Sequence, residues 1–155
     1  MMEIQDVFLT EDGRQRAVTH LDFLRTVKRA EVAQYLHEAK ESGDVIDNAA
    51  YEDAKTEQAR LEGRILELEL MLATAKPISK VSTHEISLGS VVQLRTADSR
   101  EYSYSLVGAY EAKPSAGLIS NESPVGKALL GHKVGDLVMV STPGGVKEYT
   151  IMRIE

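Results

Sequence analysis

The sequence contains no cysteine and no tryptophan among its 155 residues. The lack of cysteine excludes disulfides, thiol catalysis and cysteine-ligated zinc. No apolar run approaches the roughly 20 residues that a membrane span requires. The N-terminal stretch MMEIQDVFLTEDG carries four acidic residues before the first arginine, which is wrong for a signal peptide. We therefore expect a soluble, cytoplasmic protein with no membrane partner.

Proline is absent before Ala75, and the four prolines and eight of the eleven glycines follow it. Residues 1–75 carry nine Lys+Arg and sixteen Asp+Glu, whereas residues 76–155 carry nine and eight. This split predicts two domains, a helical one over 1–76 and a β-rich one over 77–155, joined near Ala75–Ser79. The net charge of −6 argues against independent, sequence-specific DNA binding.

The first half shows a helical apolar period. Leu61, Ile65, Leu68 and Leu72 step by four, three and four residues, close to the 3.5-residue spacing of a coiled coil. A looser stripe precedes Gly43, a natural helix C-cap residue. The pattern predicts an antiparallel helical hairpin about 45 Å long, from roughly 30 residues at 1.5 Å each. The alternative is that these helices are two arms of a compact bundle.

The second half has a shorter period. It predicts strands at Gly89–Leu94, Tyr102–Val107, Leu137–Val140 and Glu148–Met152, with turns at 98–99 and 142–145. Between them, Ser123 fits a helix N-cap, Pro124 the first helical position and Gly131 the C-cap. The expected fold is therefore α+β: a helical hairpin followed by a small antiparallel sheet with one short helix.

Two acidic residues, Asp44 and Asp47, lie three positions apart at the presumed end of the hairpin. Five acids and no base occur between Glu41 and Asp53. Because Mg²⁺ commonly takes one or two carboxylates beside water and phosphate oxygens, this pair could complete a metal site on another macromolecule. The alternative is that Asp44 and Asp47 are helix-capping residues on a solvated loop.

Other chemistry has little support. The four histidines, His20, His37, His84 and His132, show no metal-ligand spacing, and no nucleophile elbow or phosphate-binding loop is present. We expect these histidines to be structural or on the surface. Tyr102 and Tyr104 could form a binding face, although cross-strand packing explains them equally well.

Several motifs occur in order along the chain and together resemble one known family. They are Gly43-Asp44-x-x-Asp47-Asn48-Ala49-x-Tyr51, Glu62-Gly63-Arg64-Ile65, Ser123-Pro124-x-Gly126-Lys127, Val134-Gly135-Asp136 and Thr142-Pro143-Gly144-Gly145. In these residues the chain resembles the bacterial transcript-cleavage factors of the Gre family, and its GreA-like members more than its GreB-like ones. The resemblance implies an N-terminal antiparallel coiled coil and a C-terminal FKBP-like antiparallel sheet domain.

The resemblance also implies a function. Gre factors bind RNA polymerase at its secondary channel and stimulate the polymerase's own cleavage of the nascent RNA 3′ end. By position, Asp44 and Asp47 would assist the polymerase active site and share its Mg²⁺, with no cofactor bound by the factor alone. Asn48 and Tyr51 match the rest of the tip motif, and Lys55 matches an RNA-contacting position. Polymerase docking would involve the C-terminal domain around Ser123, Pro124, Gly126, Lys127, Gly131, Pro143 and Gly144. The factor would not be an enzyme by itself.

Three positions depart from the family pattern. Asp47 stands where the family usually has Glu, Ala50 replaces an acid, and Arg29-Ala30 replaces a common Arg-Pro, which should make the first helix more continuous. These differences keep open a paralogue that occupies the channel and modulates the polymerase without cleavage. Two further alternatives are an FKBP-like chaperone or prolyl isomerase and a structural coiled-coil adaptor.

Overall fold

The structure, a computed structural model, describes residues 6–42, 48–78 and 82–155. The chain divides into two compact units. One is Arg14–Thr74, and the other joins Ala75–Glu155 to the N-terminal residues up to Gly13. The first unit is helical and the second is built on a sheet, so the predicted α+β fold class is confirmed.

The helical unit is the predicted antiparallel hairpin. Its elements are α1 (Glu11–Phe23, which begins in the other unit), one π-helical turn (Leu24–Lys28), α2 (Arg29–Ser42) and α3 (Ala49–Thr74). Polar contacts between the two arms show the antiparallel direction, because residues later in the first arm contact residues earlier in α3. These contacts are Arg25–Glu69 at 2.5 Å, Arg29–Glu62 at 2.8 Å and Tyr35–Asp53 at 2.9 Å.

An apolar seam holds the two arms together. On α3 the buried residues are Ala54, Leu61, Ile65 and Leu68, which are spaced by seven, four and three positions as in a coiled coil. The first arm buries Ala17, Leu21, Leu24 and Ala39. Three of these eight side chains are alanines with at most 3% exposure, and their small size lets the helix backbones approach closely. The predicted seam is confirmed, with Leu72 half-buried at its end.

The first arm runs from Glu11 to Ser42 with the π turn as its irregularity. The N–H of Arg29 bonds to the carbonyl of Leu24, five residues back, so one extra residue is accommodated. Directly after this turn, Arg29 donates two hydrogen bonds to the Glu62 carboxylate, at 2.9 and 2.8 Å. That bidentate bond lowers the pKa of Glu62 below its ordinary value.

The second unit contains a pair of short strands, β1 (Phe8–Leu9) and β2 (Lys76–Pro77), and a five-stranded sheet. The strands of the larger sheet are β3 (Val91–Thr96), β4 (Glu101–Val107), β5 (Leu118–Ser120), β6 (Leu137–Thr142) and β7 (Gly145–Ile154). Their order in the sheet is β5-β4-β3-β7-β6. The predicted hairpin of the last two strands and the turn at 98–99 are confirmed. Strand β3 begins two residues later than predicted, because Gly89 has a φ of +96° and belongs to the preceding turn.

The sheet is mixed, which corrects the predicted antiparallel sheet. Strand β5 pairs with β4 in parallel, with Leu106 opposite Ile119. A parallel neighbour requires a crossover of about a dozen residues. Two 3₁₀ turns, Ala109–Glu111 and Pro114–Ala116, fill that connection here. The sequence pattern predicts no strand at 118–120, because three residues are too few to show a strand period.

One face of the sheet carries the core of this unit. It comprises Ile86, Val92, Leu94, Leu106, Leu129, Val138, Val140, Tyr149, Ile151 and Ile154. Helix α4 (Pro124–Leu129) contributes Leu129, which is fully buried. The stacked rings of Tyr102 and Tyr104, 5.9 Å apart, lie opposite Leu94 and Val92 on β3, so they continue this face. Packing, rather than binding, accounts for Tyr104, which contacts the core.

The predicted N-cap of α4 is confirmed, whereas the predicted C-cap is not. The hydroxyl of Ser123 accepts a hydrogen bond from the N–H of Gly126 at 3.1 Å, and Pro124 is the first helical residue. At the other end Leu130 is the C-cap, which corrects the expectation that Gly131 occupies this position. Gly131 follows with a φ of +82°, a left-handed conformation that favours glycine.

The N-terminal residues attach to the sheet unit, unlike in the predicted division at residue 76. Strand β1 (Phe8–Leu9) pairs in parallel with β2 (Lys76–Pro77). The carboxylate of Glu111 accepts hydrogen bonds from the backbone N–H and the hydroxyl of Thr10, at 2.8 and 2.5 Å. Composition alone could not detect this pairing, because it joins residues about 70 to 100 positions apart in the chain.

Two glycines are predicted to respond oppositely to alanine. A Cβ at Gly126 would lie 2.0 Å from the carbonyl oxygen of Ser120, whereas a Cβ at Gly63 meets nothing within 4 Å. We expect Gly126→Ala to destabilise the protein by about 1–3 kcal/mol through backbone overlap. We expect Gly63→Ala, on an exposed helix position, to stabilise it by up to about 1 kcal/mol. Urea unfolding of both variants measures the difference, and an equal response would contradict the prediction.

Candidate functional site

The candidate site is the end of the helical hairpin, where α2 ends at Ser42 and α3 begins at Ala49. The two predicted metal-binding acids, Asp44 and Asp47, lie outside the described residues, as does the predicted C-cap Gly43. The structure does describe the other predicted tip residues, Asn48, Tyr51 and Lys55, together with the helix ends on both sides. These residues flank the acidic segment, the name used here for residues 43–47, which include Asp44 and Asp47.

Asn48 joins the ends of both helices. Its side-chain oxygen accepts a hydrogen bond from the N–H of Tyr51 at 3.1 Å, which makes Asn48 the N-cap of α3. Its side-chain amide donates to the carbonyl oxygen of Ala39 on α2 at 2.6 Å. Asparagine is a common N-cap residue, but by type Asp44 and Asp47 fit this position as well, and the sequence contained no signal for the second bond.

Tyr51 and Lys55 lie one helical turn apart on α3. The ammonium nitrogen of Lys55 lies 5.7 Å from the centroid of the Tyr51 ring, within the range of a cation–π interaction. Tyr51 is half-buried and Lys55 is exposed. The ring therefore holds a positive charge near the start of α3, and that charge is exposed. The RNA-contacting role of Lys55 stays a prediction.

Among the described acids between Glu41 and Asp53, two have partners within the hairpin. The hydroxyl of Tyr35 donates a hydrogen bond to Asp53 at 2.9 Å, and this bond raises the pKa of Tyr35 above its ordinary value. Glu41 lies 3.3 Å from His37, one turn earlier on α2. No local sequence pattern indicates the Tyr35–Asp53 bond, because it depends on the antiparallel register that places these residues on facing helices.

No group of three or more metal-ligating side chains occurs within residues 6–42, 48–78 and 82–155. His132 lies 3.3 Å from Asp136, and the backbone N–H of Lys133 donates to the same carboxylate at 2.8 Å. The backbone bond is the main reason that the pKa of Asp136 lies below its ordinary value, and His132 adds to the effect. This contact therefore fixes a turn.

The predicted docking residues fall into two groups. Ser123 and Gly126 are half-buried and buried, and they build α4. The exposed members are Pro124 and Lys127 on α4, Gly131 after it, and Pro143 and Gly144 in the turn between β6 and β7. A docking partner would reach this second group through surface atoms, whereas the first group shapes the helix.

Sequence reasoning missed an exposed apolar patch on the outer face of β6 and β7. Leu137 and Met139 are 55% and 57% exposed, and Val146 and Met152 are also exposed. The neighbouring Val138 and Val140 point to the core. The signal was the uninterrupted run Leu-Val-Met-Val in β6, since a half-buried strand would alternate apolar with polar residues.

Comparison with known proteins gives the family. A family model described as "Transcription elongation factor, GreA/GreB, C-term" matches residues 81–155, and one described as "Transcription elongation factor, N-terminal" matches residues 7–76. The chain therefore belongs to the GreA/GreB family of transcription elongation factors. Within the described ranges, no helix combines the length and the apolar character needed to cross a membrane.

Two similar proteins carry the name GreA. The transcription elongation factor GreA of Acetivibrio thermocellus is 46% identical over 153 residues, covering 97% of this chain and 96% of the relative. The GreA of Roseiflexus castenholzii is 45% identical over 157 residues, covering 99% and 100%. Among solved structures, GreA factor homolog 1 (Gfh1) of Thermus thermophilus is 38% identical, covers 97% of this chain and 99% of its own, and has a TM-score of 0.44.

The bond between Tyr35 and Asp53 yields a testable titration. Ionising Tyr35 would break the hydrogen bond and place a second negative charge beside the carboxylate, which is why the pKa is raised. We expect Asp53→Asn to lower the pKa of Tyr35 toward its ordinary value of about 10. Carbon-13 NMR of labelled tyrosine Cζ atoms measures this pKa. An unchanged value in the variant would contradict the observed contact.

Proposed function

We propose that this protein binds RNA polymerase at the secondary channel and stimulates the polymerase's own cleavage of backtracked RNA. The observation that carries the proposal is the match to GreA factors over essentially the whole chain, at 45–46% identity. The relatives' name supports a role in elongation. The cleavage role rests on the two acids at the end of the hairpin, Asp44 and Asp47.

The helical unit has a form that suits delivery of residues to another enzyme. Its helix α3 has 26 residues, which correspond to about 39 Å at 1.5 Å per residue. Within the described part of Arg14–Thr74 the helices form a two-armed hairpin and no further layer, which disfavours the compact-bundle alternative. An arm of this kind carries the residues at its end away from its own base.

Charge on the arm favours a basic partner. Most of its basic side chains already pair with acids: Arg25 with Glu69, Lys28 with Glu31, Arg29 with Glu62, Arg60 with Glu57 and Arg64 with Glu67. Residues 1–75 carry sixteen acids against nine bases, so they have a net negative charge, and the ion pairs leave few of the bases free to offset it locally. Such a surface is repelled by free nucleic acid and attracted to a positively charged channel.

The donor set fits a shared Mg²⁺ rather than a site of the protein's own. Asp44 and Asp47 offer hard carboxylate oxygens, the ligand type that Mg²⁺ prefers, but two carboxylates leave most coordination positions to other groups. A bound Mg²⁺ would stabilise negative charge on the reacting oxygens of the RNA phosphate. This chain would contribute the two carboxylates and hold them in place, so the polymerase remains the enzyme.

A second candidate is a channel-occupying modulator without cleavage activity, and the residue at position 47 favours it. Aspartate is one methylene shorter than the glutamate usual in the family, a difference in reach of roughly 1.3 Å. A misplacement of about 1 Å in a catalytic geometry can cost on the order of a hundredfold in rate. The two candidates predict the same polymerase binding and opposite effects on RNA cleavage.

The main test measures RNA cleavage in stalled, backtracked complexes of the cognate polymerase, with and without the protein. We expect the protein to accelerate shortening of the RNA 3′ end and Asp44→Ala to remove on the order of a hundredfold of that acceleration, because one ligand is lost. Polymerase affinity of the variant should be unchanged.

The matched control is Glu52→Gln, which removes a neighbouring exposed acid and should leave cleavage intact. Undiminished cleavage with Asp44→Ala would reject the assignment of Asp44. Binding of the wild type without faster cleavage would favour the modulator. Cleavage or peptide isomerisation without polymerase would contradict both candidates and favour an independent activity.

Position 47 has its own prediction. We expect Asp47→Glu to raise the cleavage rate or leave it unchanged, because the substitution restores the longer reach usual in the family. The same assay at saturating factor concentration measures the effect. A large loss of cleavage would mean that this protein's tip depends on the shorter side chain.

A further inference from the structure

Asn48 makes a second side-chain hydrogen bond that its role as N-cap of α3 does not require. Aspartate, serine and asparagine cap helices about equally well, since each offers a side-chain oxygen to the first free N–H groups. Any of these three residue types could therefore cap the Tyr51 N–H. The second bond is more selective, because it requires a side-chain donor that reaches the carbonyl oxygen of Ala39.

The Ala39 carbonyl lies in the last turn of α2, which ends at Ser42. The Tyr51 N–H lies in the first turn of α3, where the helix itself offers it no carbonyl partner. One side chain therefore bonds both to the last turn of α2 and to the first turn of α3.

The two hydrogen bonds of Asn48, called the Asn48 bridge, lie where α2 and α3 pack closely. Ala39 is 3% exposed and Ala54 is fully buried, so the two helices pack closely next to the bridge. Because Asn48 itself is half-buried, its hydrogen bonds are partly shielded from competition by water. The end of α2 and the start of α3 are therefore held at a fixed separation.

We propose that Asn48 is a positioning residue: its bond to Ala39 fixes the two points between which the acidic segment runs. Asp47 directly precedes Asn48 in the chain, and Asp44 lies three residues earlier. The inference rests on the proposed cleavage function, in which an error of about 1 Å in the carboxylates is costly. Asn48 acts on the reaction only through these residues.

The chain supplies a matched control. Tyr35 and Asp53 form another hydrogen bond between α2 and α3, further from the helix ends. Tyr35→Phe removes this bond and leaves the Asn48 bridge in place. A variant at position 48 and a variant at position 35 therefore each remove one link between the same helices, and only the first removes a link at the end of the hairpin.

The experiment uses the full-length protein with Asn48→Ser, Asn48→Asp and Tyr35→Phe. Both Asn48 variants keep an oxygen for the Tyr51 N–H, but serine is shorter and aspartate has no donor for Ala39. Cleavage of backtracked RNA is measured over a range of factor concentrations. We expect the maximal rate to fall at least about tenfold in both Asn48 variants. The half-saturating concentration should stay within about twofold, and Tyr35→Phe should behave as the wild type.

A second measurement needs no polymerase. Amide hydrogen exchange in the isolated protein should become about tenfold faster in the last turn of α2 in both Asn48 variants, because the bond to Ala39 is lost. The Tyr51 amide should keep its protection, since its cap remains. Tyr35→Phe should leave the last turn of α2 unchanged.

The outcomes separate the two proposals. Unchanged maximal rates in both Asn48 variants, or an equal loss in Tyr35→Phe, would overturn the positioning role of Asn48. A wild-type protein that does not stimulate cleavage would overturn the proposed function instead. Hydrogen exchange would then decide whether the bridge holds the helix ends, and unchanged exchange would reject it.

Discussion

The close packing of the two hairpin arms is the constraint on which the helical unit depends. Large side chains such as Ile65 and Leu68 supply the apolar area, while Ala17, Ala39 and Ala54 let the backbones approach. The cross-helix polar contacts follow from that approach, because hydrogen bonds form only within about 3.2 Å. Exposed ion pairs contribute little by themselves and mainly select the register.

The sequence predicted those parts of the fold in which neighbours in the chain are also neighbours in space. The seam through Leu61 and Ile65, the Ser123 cap and the β6–β7 hairpin are examples. It did not predict the parallel β5, the attachment of Thr10 to Glu111, or the π turn. These features depend on contacts between distant residues or on one extra residue in a helical turn, and neither leaves a local period.

The candidate site shows the same division. By type, Asn48 is one of several candidates for a helix cap, but its donor bond to Ala39 depends on how the two helices meet. Likewise, the sequence shows five acids and no base between Glu41 and Asp53 and indicates no partner for any of them. In the structure the Asp53 carboxylate accepts a hydrogen bond from the Tyr35 hydroxyl, so Asp53 is tied to α2 within the hairpin. The functional role of this arrangement follows only under the proposed cleavage function.

The π turn at Leu24–Lys28 has an evolutionary consequence. Such a turn contains one residue more than the α-helical turn it replaces, so removing one residue restores a regular helix with the same faces on both sides. A deletion elsewhere in the arm would rotate every following side chain by about 100° relative to α3. The π turn is therefore a point at which one residue could be removed while the seam keeps its register against α3.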